Sequence, residues 1–284
     1  MDEKNKTTPN RRQFIKISAA AAGAAMMPIQ MRAGSTPVTA DKNEFQLGIA
    51  SYTFRKFSLD DTLKMTKQLA IERIALKSFH LPLDSSKAEI EEIAQKVRSA
   101  GLTLYGAGVI YMKDESEVLN AFNYAQTAGI KIIIGVPEHD LLPLVERKAK
   151  ETNIMVAIHN HGPGDEKYPS PQSIFDRIES LDKRIGICLD VGHVQRYGLD
   201  PVKEIDKYGR RILDVHIKDV NGSDKDANTV EIGRGVIDIP GVLTALRKAG
   251  FSGTLAFEFE KDEESPLTGL AESVGYVRGV LDML

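Results

Sequence analysis

The stretch "IMVAIHNHG" (residues 154–162) opens as an unbroken apolar run and stops on His159, Asn160 and His161. An unbroken run suits a strand buried on both faces, as in a parallel sheet. Seven further runs have the same character: "FQLGIAS" (45–51), "RIALKSF" (73–79), "LTLYGAGV" (102–109), "KIIIGV" (131–136), "RIGICLDV" (184–191), "ILDVHIKDV" (212–220) and "GTLAFEFE" (253–260). The stretches between them have helical spacing. Asp60 to Leu69 sets Leu63, Met65 and Leu69 among lysines. "SKAEIEEIAQKVRSAG" (86–101) puts Ile90, Ile93, Ala94 and Val97 on one stripe and ends on Gly101, a C-cap residue. "DIPGVLTALRKAG" (238–250) repeats the plan, with Pro240 near its start and Gly250 past its end.

Strands alternating with helices indicate parallel βαβ units. Eight of them after residue 44 predict a single (β/α)₈ TIM barrel over residues 41–284. A doubly wound open sheet is the competing fold, but no GxGxxG turn follows the first run. A hydrophobic content of 42% suffices for a large core, and no charged block suggests a nucleic-acid surface. Cys188 is the one cysteine, so no internal disulfide forms; its apolar run predicts a buried, inert thiol.

Active sites of such barrels lie at the C-terminal ends of the strands. The runs end at Ser51-Tyr52-Thr53, at Lys77 with His80 beyond, at Glu138-His139, at His159-Asn160-His161, at Asp190 with His193 beyond, at His216, Lys218 and Asp219, and at Glu258 and Glu260. All six histidines lie at or just past such ends. Taken singly, a strand-end histidine is usually a hydrogen-bonded structural group, and a buried aspartate usually pairs with arginine or caps a helix. Jointly, His159, Asp190, His216 and Glu258 are expected at equivalent depth on four adjacent strands, aimed at one point. Buried unpaired carboxylates are costly, and a divalent cation removes that cost.

"ICLDVGH" (187–193), "DVHIKD" (214–219), "GRGVIDIPGVLTALRKAGFSGTLAFEFE" (233–260) and the strand ending on His159 resemble the xylose-isomerase-like TIM barrels. That family includes sugar isomerases, epimerases and an endonuclease branch. The resemblance implies one divalent ion held from strands 5 to 8. Carried over, its ligands are Asp190, His216 and Glu258, with Glu260 in reserve. Strand 5 departs from the pattern, with His159 where the family usually has glutamate; His159 is the expected fourth ligand. Two imidazoles favour Mn, Co, Zn or Fe over Mg. A metal-bound His159 also removes one of the two glutamate bases that family epimerases use. One base near the metal then remains, drawn from Glu258, His193 and His161. Lys77 and His80 are candidate acids or hydroxyl contacts, and His80, Glu138, Lys218 and Arg234 candidate substrate contacts.

These features imply a metal-dependent enzyme acting on a non-phosphorylated sugar by proton abstraction α to a carbonyl, an isomerase or epimerase first. A lyase opening 3-keto-glycosides by β-elimination is the second reading, and a non-catalytic sugar-binding barrel the third. The endonuclease branch fits poorly, because DNA binders are usually basic. Residues 1–40 hold six of the 37 basic and two of the 40 acidic residues, which leaves 31 against 38 and a net charge of −7.

Those first 40 residues are a separate object. "NRRQFIKISAAAAGAAMMPIQM" (10–31) has twin arginines at Arg11 and Arg12, then a short alanine-rich stretch. It resembles a twin-arginine export signal and is too short and weak for a transmembrane helix. Small residues near Ala33 and Ala40 mark possible cleavage points. The expected destination is the periplasm or beyond, with the export machinery as partner; a homo-oligomer is compatible with the sequence.

Overall fold

The computed structural model describes residues 45–284. The export segment, its cleavage points and the domain boundary at residue 40 lie outside the described residues. Among the described residues ten strands occur in chain order: β1 (Gln46–Ala50), β2 (Arg73–Leu76), β3 (Thr103–Met112), β4 (Ile132–Pro137), β5 (Met155–His159), β6 (Ile185–Asp190), β7 (Ile212–Ile217), β8 (Asp219–Val220), β9 (Thr229–Val230) and β10 (Thr254–Phe257). Strands β1 to β7 and β10 close into a parallel barrel, β10 joining β7 to β1. The open sheet is therefore excluded, and each predicted run contributes one barrel strand.

Two cores follow from the period-two facing of the strands. Outward residues such as Ile74, Ile133, Val156, Ile187, Val215 and Leu255 pack under the helices. Inward residues are mostly small: Ala50, Ala75, Ala157 and Ala256 leave room for Tyr105, Ile132, Ile134 and Cys188. The helix Lys87–Ser99 starts on a reciprocal Ser86–Glu89 capping box. Its apolar stripe is buried, and Gly101, one residue past the Ala100 cap, has φ +74°. The helix Ile239–Lys248 begins on Asp238, whose carboxylate accepts from Gly241 N–H.

The run 212–220 is not one strand. Barrel strand β7 stops at Ile217, and Asp219–Val220 turns away to pair antiparallel with Thr229–Val230. Asp219 causes the turn. Its buried carboxylate accepts from the backbone N–H groups of Val220, Gly233, Gly235 and Ile237 and gathers the loop after β7 around itself.

Candidate metal centre

The ladder places four side chains as a staircase. Asp190 is level with His216, but His159 is level with Cys188, and His216 with Ala256 rather than Glu258. The expectation of equal depth therefore fails in register. The four still meet in space, because strands in a closed barrel tilt and stagger. His159 Nε2 lies 3.2 Å from His216 Nδ1 and 3.5 Å from Asp190 Oδ2. His216 Nδ1 lies 3.3 Å from Glu258 Oε2. All four residues are buried, and one donor atom from each falls within 4.8 Å of the others.

These donors fit a divalent ion. Donors about 2.0–2.2 Å from a tetrahedral centre lie roughly 3.3–3.6 Å from one another. Two facing imidazole nitrogens can share at most one proton, so as neutral rings they present a lone pair to the same space. Asp190 Oδ1 accepts from His193 N–H at 2.8 Å, while Oδ2 accepts no hydrogen bond of good geometry. Charge agrees. Lys218, 2% exposed, has Nζ 3.0 Å from Asp190, 2.7 Å from Glu258 and 2.7 Å from Glu260. Three carboxylates and one ammonium sum to −2, the complement of M²⁺.

Protonation follows from burial and neighbours. Burial, helped by His216 and His161, pushes His159 down to about 3, so its ring is neutral at any physiological pH. Burial lowers His216 as well, but Glu258, Asp214 and Asp190 outweigh it and set its pKa above the ordinary value. Burial raises Asp190 and Glu258; Lys218 and the imidazoles overcome it and hold both well below the carboxylate range. His193 and His161 are lowered chiefly by burial. Both rings stand beside His159, at 5.9 and 4.5 Å between centroids. Burial likewise lowers Lys77. Its Nζ donates to the Val109 carbonyl at 3.0 Å.

Other expected contacts are placed elsewhere. His80 Nε2 meets the Phe57 carbonyl and the Thr62 hydroxyl, so it ties the loop after β2 to the helix Leu59–Gln68 and the turn before it. Arg234 is turned outward into an exposed pair with Glu272, because Asp219 folds its loop back. Glu138 pairs with Lys167. The structure does not bring these three to the four converging donors. Lys218 is there, bound to carboxylates. Cys188 is buried beside Asp214 Oδ2 at 3.5 Å, and its thiol is pushed well above its ordinary range by burial and then by Asp214.

Two buried groups escaped the sequence reading. Asn160 Nδ2 donates to the Asp190 carbonyl at 3.2 Å, and its Oδ1 accepts from Asp190 N–H at 2.9 Å. The side chain thus clamps β5 to β6 where the ladder ends. In the sequence it is an amide set between two strand-end histidines, with nothing local to name its partner. Asp214 lies below His216, with Oδ2 3.7 Å from Nε2. Its pKa rises to about 7, chiefly through burial. Its spacing of two from His216 already gave it the same facing.

Fold and site together define a class. The chain belongs to the xylose isomerase-like TIM barrel family, whose model matches residues 63–280. A twin-arginine translocation signal sequence matches residues 8–28, so this is an exported, periplasmic family member. No helix among the described residues is long and apolar enough to cross a membrane. Among curated proteins, the rhizopine catabolism protein MocC of Rhizobium meliloti is 34% identical over 45% of this chain and 44% of its own. The match thus spans less than half of that protein. An inosose dehydratase of Geobacillus thermodenitrificans is 26% identical over 71% of this chain and 74% of its own. Among solved structures, the IOLI protein with a bound zinc atom superposes with a TM-score of 0.68, covering 84% of this chain and 96% of that one at 18% identity.

Proposed function

We propose that this protein is a divalent-metal-dependent enzyme that removes the proton α to the carbonyl of a non-phosphorylated sugar, in the manner of the sugar isomerases and epimerases. The convergence of His159, Asp190, His216 and Glu258 on one point carries the reading. A bound divalent ion there supplies Lewis-acid polarisation of a substrate carbonyl or hydroxyl oxygen. His159 and His216 enter as neutral donors and Asp190 and Glu258 as anions. The donor set, half imidazole, favours Mn, Co, Zn or Fe over Mg. The zinc-bound IOLI structure supports a metal of that group.

The proton chemistry falls to this chain's free bases. Glu258, held ionised by Lys218 and His216, is a weak base. His193 and His161, lowered by burial, stand beside the cluster as neutral imidazoles able to accept a proton near neutral pH. Tyr111 Oη, 3.3 Å from His161 Nε2, orients that ring. Lys77, one residue past β2, offers an amine of reduced basicity.

One observation favours a second reading. His159 is an imidazole where the family resemblance implies a glutamate, so the second glutamate base that family epimerases use on the opposite sugar face is missing. One base suffices for β-elimination from a keto-sugar: the base takes the α-proton, the electron pair of that C–H bond forms the C=C bond, the β C–O bond breaks, and the departing oxygen takes the proton back from the base to leave as water or an aglycone alcohol. The dehydratase relative supports elimination chemistry in this family.

The deciding experiment uses residues 41–284 as purified, with and without His159→Ala. Metal analysis is expected to give about one transition-metal ion per chain, diminished in the variant. Incubation of the loaded protein with ketoses and 3-keto-glycosides in D₂O then separates the readings. Deuterium exchange with the formula conserved marks an isomerase; a released aglycone marks a lyase. A metal-binding protein that exchanges no proton of any of these sugars is the sugar-binding barrel. Absence of metal from both proteins after reloading would sink both enzyme readings.

A further inference from the structure

Resting on the metal reading above, we propose that Lys218 is the internal counter-cation of this site and sets its metal affinity. Metal binding is an exchange in which the ammonium leaves Asp190 and Glu258 and is retained by Glu260. The oxygens that Lys218 Nζ approaches, Asp190 Oδ2 at 3.0 Å and Glu258 Oε2 at 2.7 Å, are the same two that face the imidazole nitrogens. An ammonium and a divalent cation cannot both sit against these oxygens without strong repulsion. The third partner, Glu260 Oε1 at 2.7 Å, takes no part in the four-residue cluster and is more exposed, so it can hold the ammonium after the exchange.

The lysine stem is built to stay in place while its head moves. A Cβ at Gly192 would stand 2.4 Å from Lys218 Cγ and 2.6 Å from Cδ, so only glycine at that position lets the stem pass beneath the helix Val191–Arg196. The stem packs against the Gly192 backbone there, and beyond it Nζ already reaches both Glu258 and Glu260. In the metal-free protein Lys218 neutralises buried carboxylates that would otherwise repel one another. In the loaded protein the same charge, parked on Glu260, lies at the edge of the site.

The test is metal affinity measured by chelator competition with Zn²⁺ and Mn²⁺, together with thermal unfolding of metal-free and loaded protein. Lys218→Met is expected to bind metal at least about tenfold more tightly, and its metal-free form to melt lower than wild type, so that the melting shift on loading widens. Glu260→Gln removes the parking position and is expected to weaken metal binding at least about tenfold. Opposite signs from two adjoining residues are not what general damage to the fold produces. Should Lys218→Met not fold, Lys218→Gln, which removes the charge and keeps a polar head, is read in its place. Equal affinity in wild type and variants, or weakening by both, would overturn the proposal while leaving the metal reading intact. A wild-type protein that takes up neither ion would overturn the metal reading itself.

Discussion

At the scale of the residue, His159 is the most consequential position. Its folded pKa of about 3 lies far below that of an unfolded histidine, near 6.5. Between those values the unfolded chain binds a proton that the folded, metal-free protein refuses, so stability must fall as pH drops from about 6.5 towards 3. One such proton is worth about 1.4 kcal/mol per pH unit. Urea unfolding of the metal-free protein between pH 6 and 4.5 should show wild type losing more stability than His159→Gln, by about that slope; equal slopes would refute the assignment. The position was legible because period-two facing and a strand end are written in "VAIHNH". Asn160 was not, since its worth lies in the Asp190 backbone, 30 residues away in the chain. Replacing Asn160 by alanine unclamps Asp190 and should lower metal affinity roughly tenfold or more, read by the same chelator competition, with the barrel's circular dichroism unchanged.

At the scale of the element, the loop after β7 shows where sequence patterning stops informing. "ILDVHIKDV" reads as one continuous run, and nothing local announces a break at Lys218. The break comes from a long-range demand: the N–H groups of Gly233, Gly235 and Ile237 need an acceptor, and Asp219 supplies both oxygens. The same fact misdirected the expectation for Arg234, whose loop is drawn back and whose side chain meets Glu272. Removing the acceptor leaves several backbone donors unpaired, each costing about 1–3 kcal/mol if buried. Asp219→Ala should therefore destabilise by roughly 2–4 kcal/mol in urea unfolding. Asp219→Asn, which keeps one acceptor oxygen, should lose about half as much. The eight barrel strands themselves were legible, because alternation of buried strands with amphipathic helices is a local pattern. Which strand closes the ring is not local, and only topology rules supply it.

At the scale of the whole molecule, the signal at residues 8–28 governs destination. Substituting Arg11→Lys together with Arg12→Lys should leave the barrel folded but retained in the cytoplasm of a host that has the pathway, as read by cell fractionation. Unaltered periplasmic yield would show that another signal directs it. Barrel closure then acquires a temporal meaning. Strand β1 is completed by β10, whose residue Thr254 pairs with Gln46. At ribosomal rates of about 5–20 residues per second, roughly 10–40 s separate their synthesis. For most of that interval the address label is outside the ribosome, while the first strand still lacks one neighbour. A translocon that carries only finished cargo thus has a built-in clock to respect: the last strand made is the one that certifies the first.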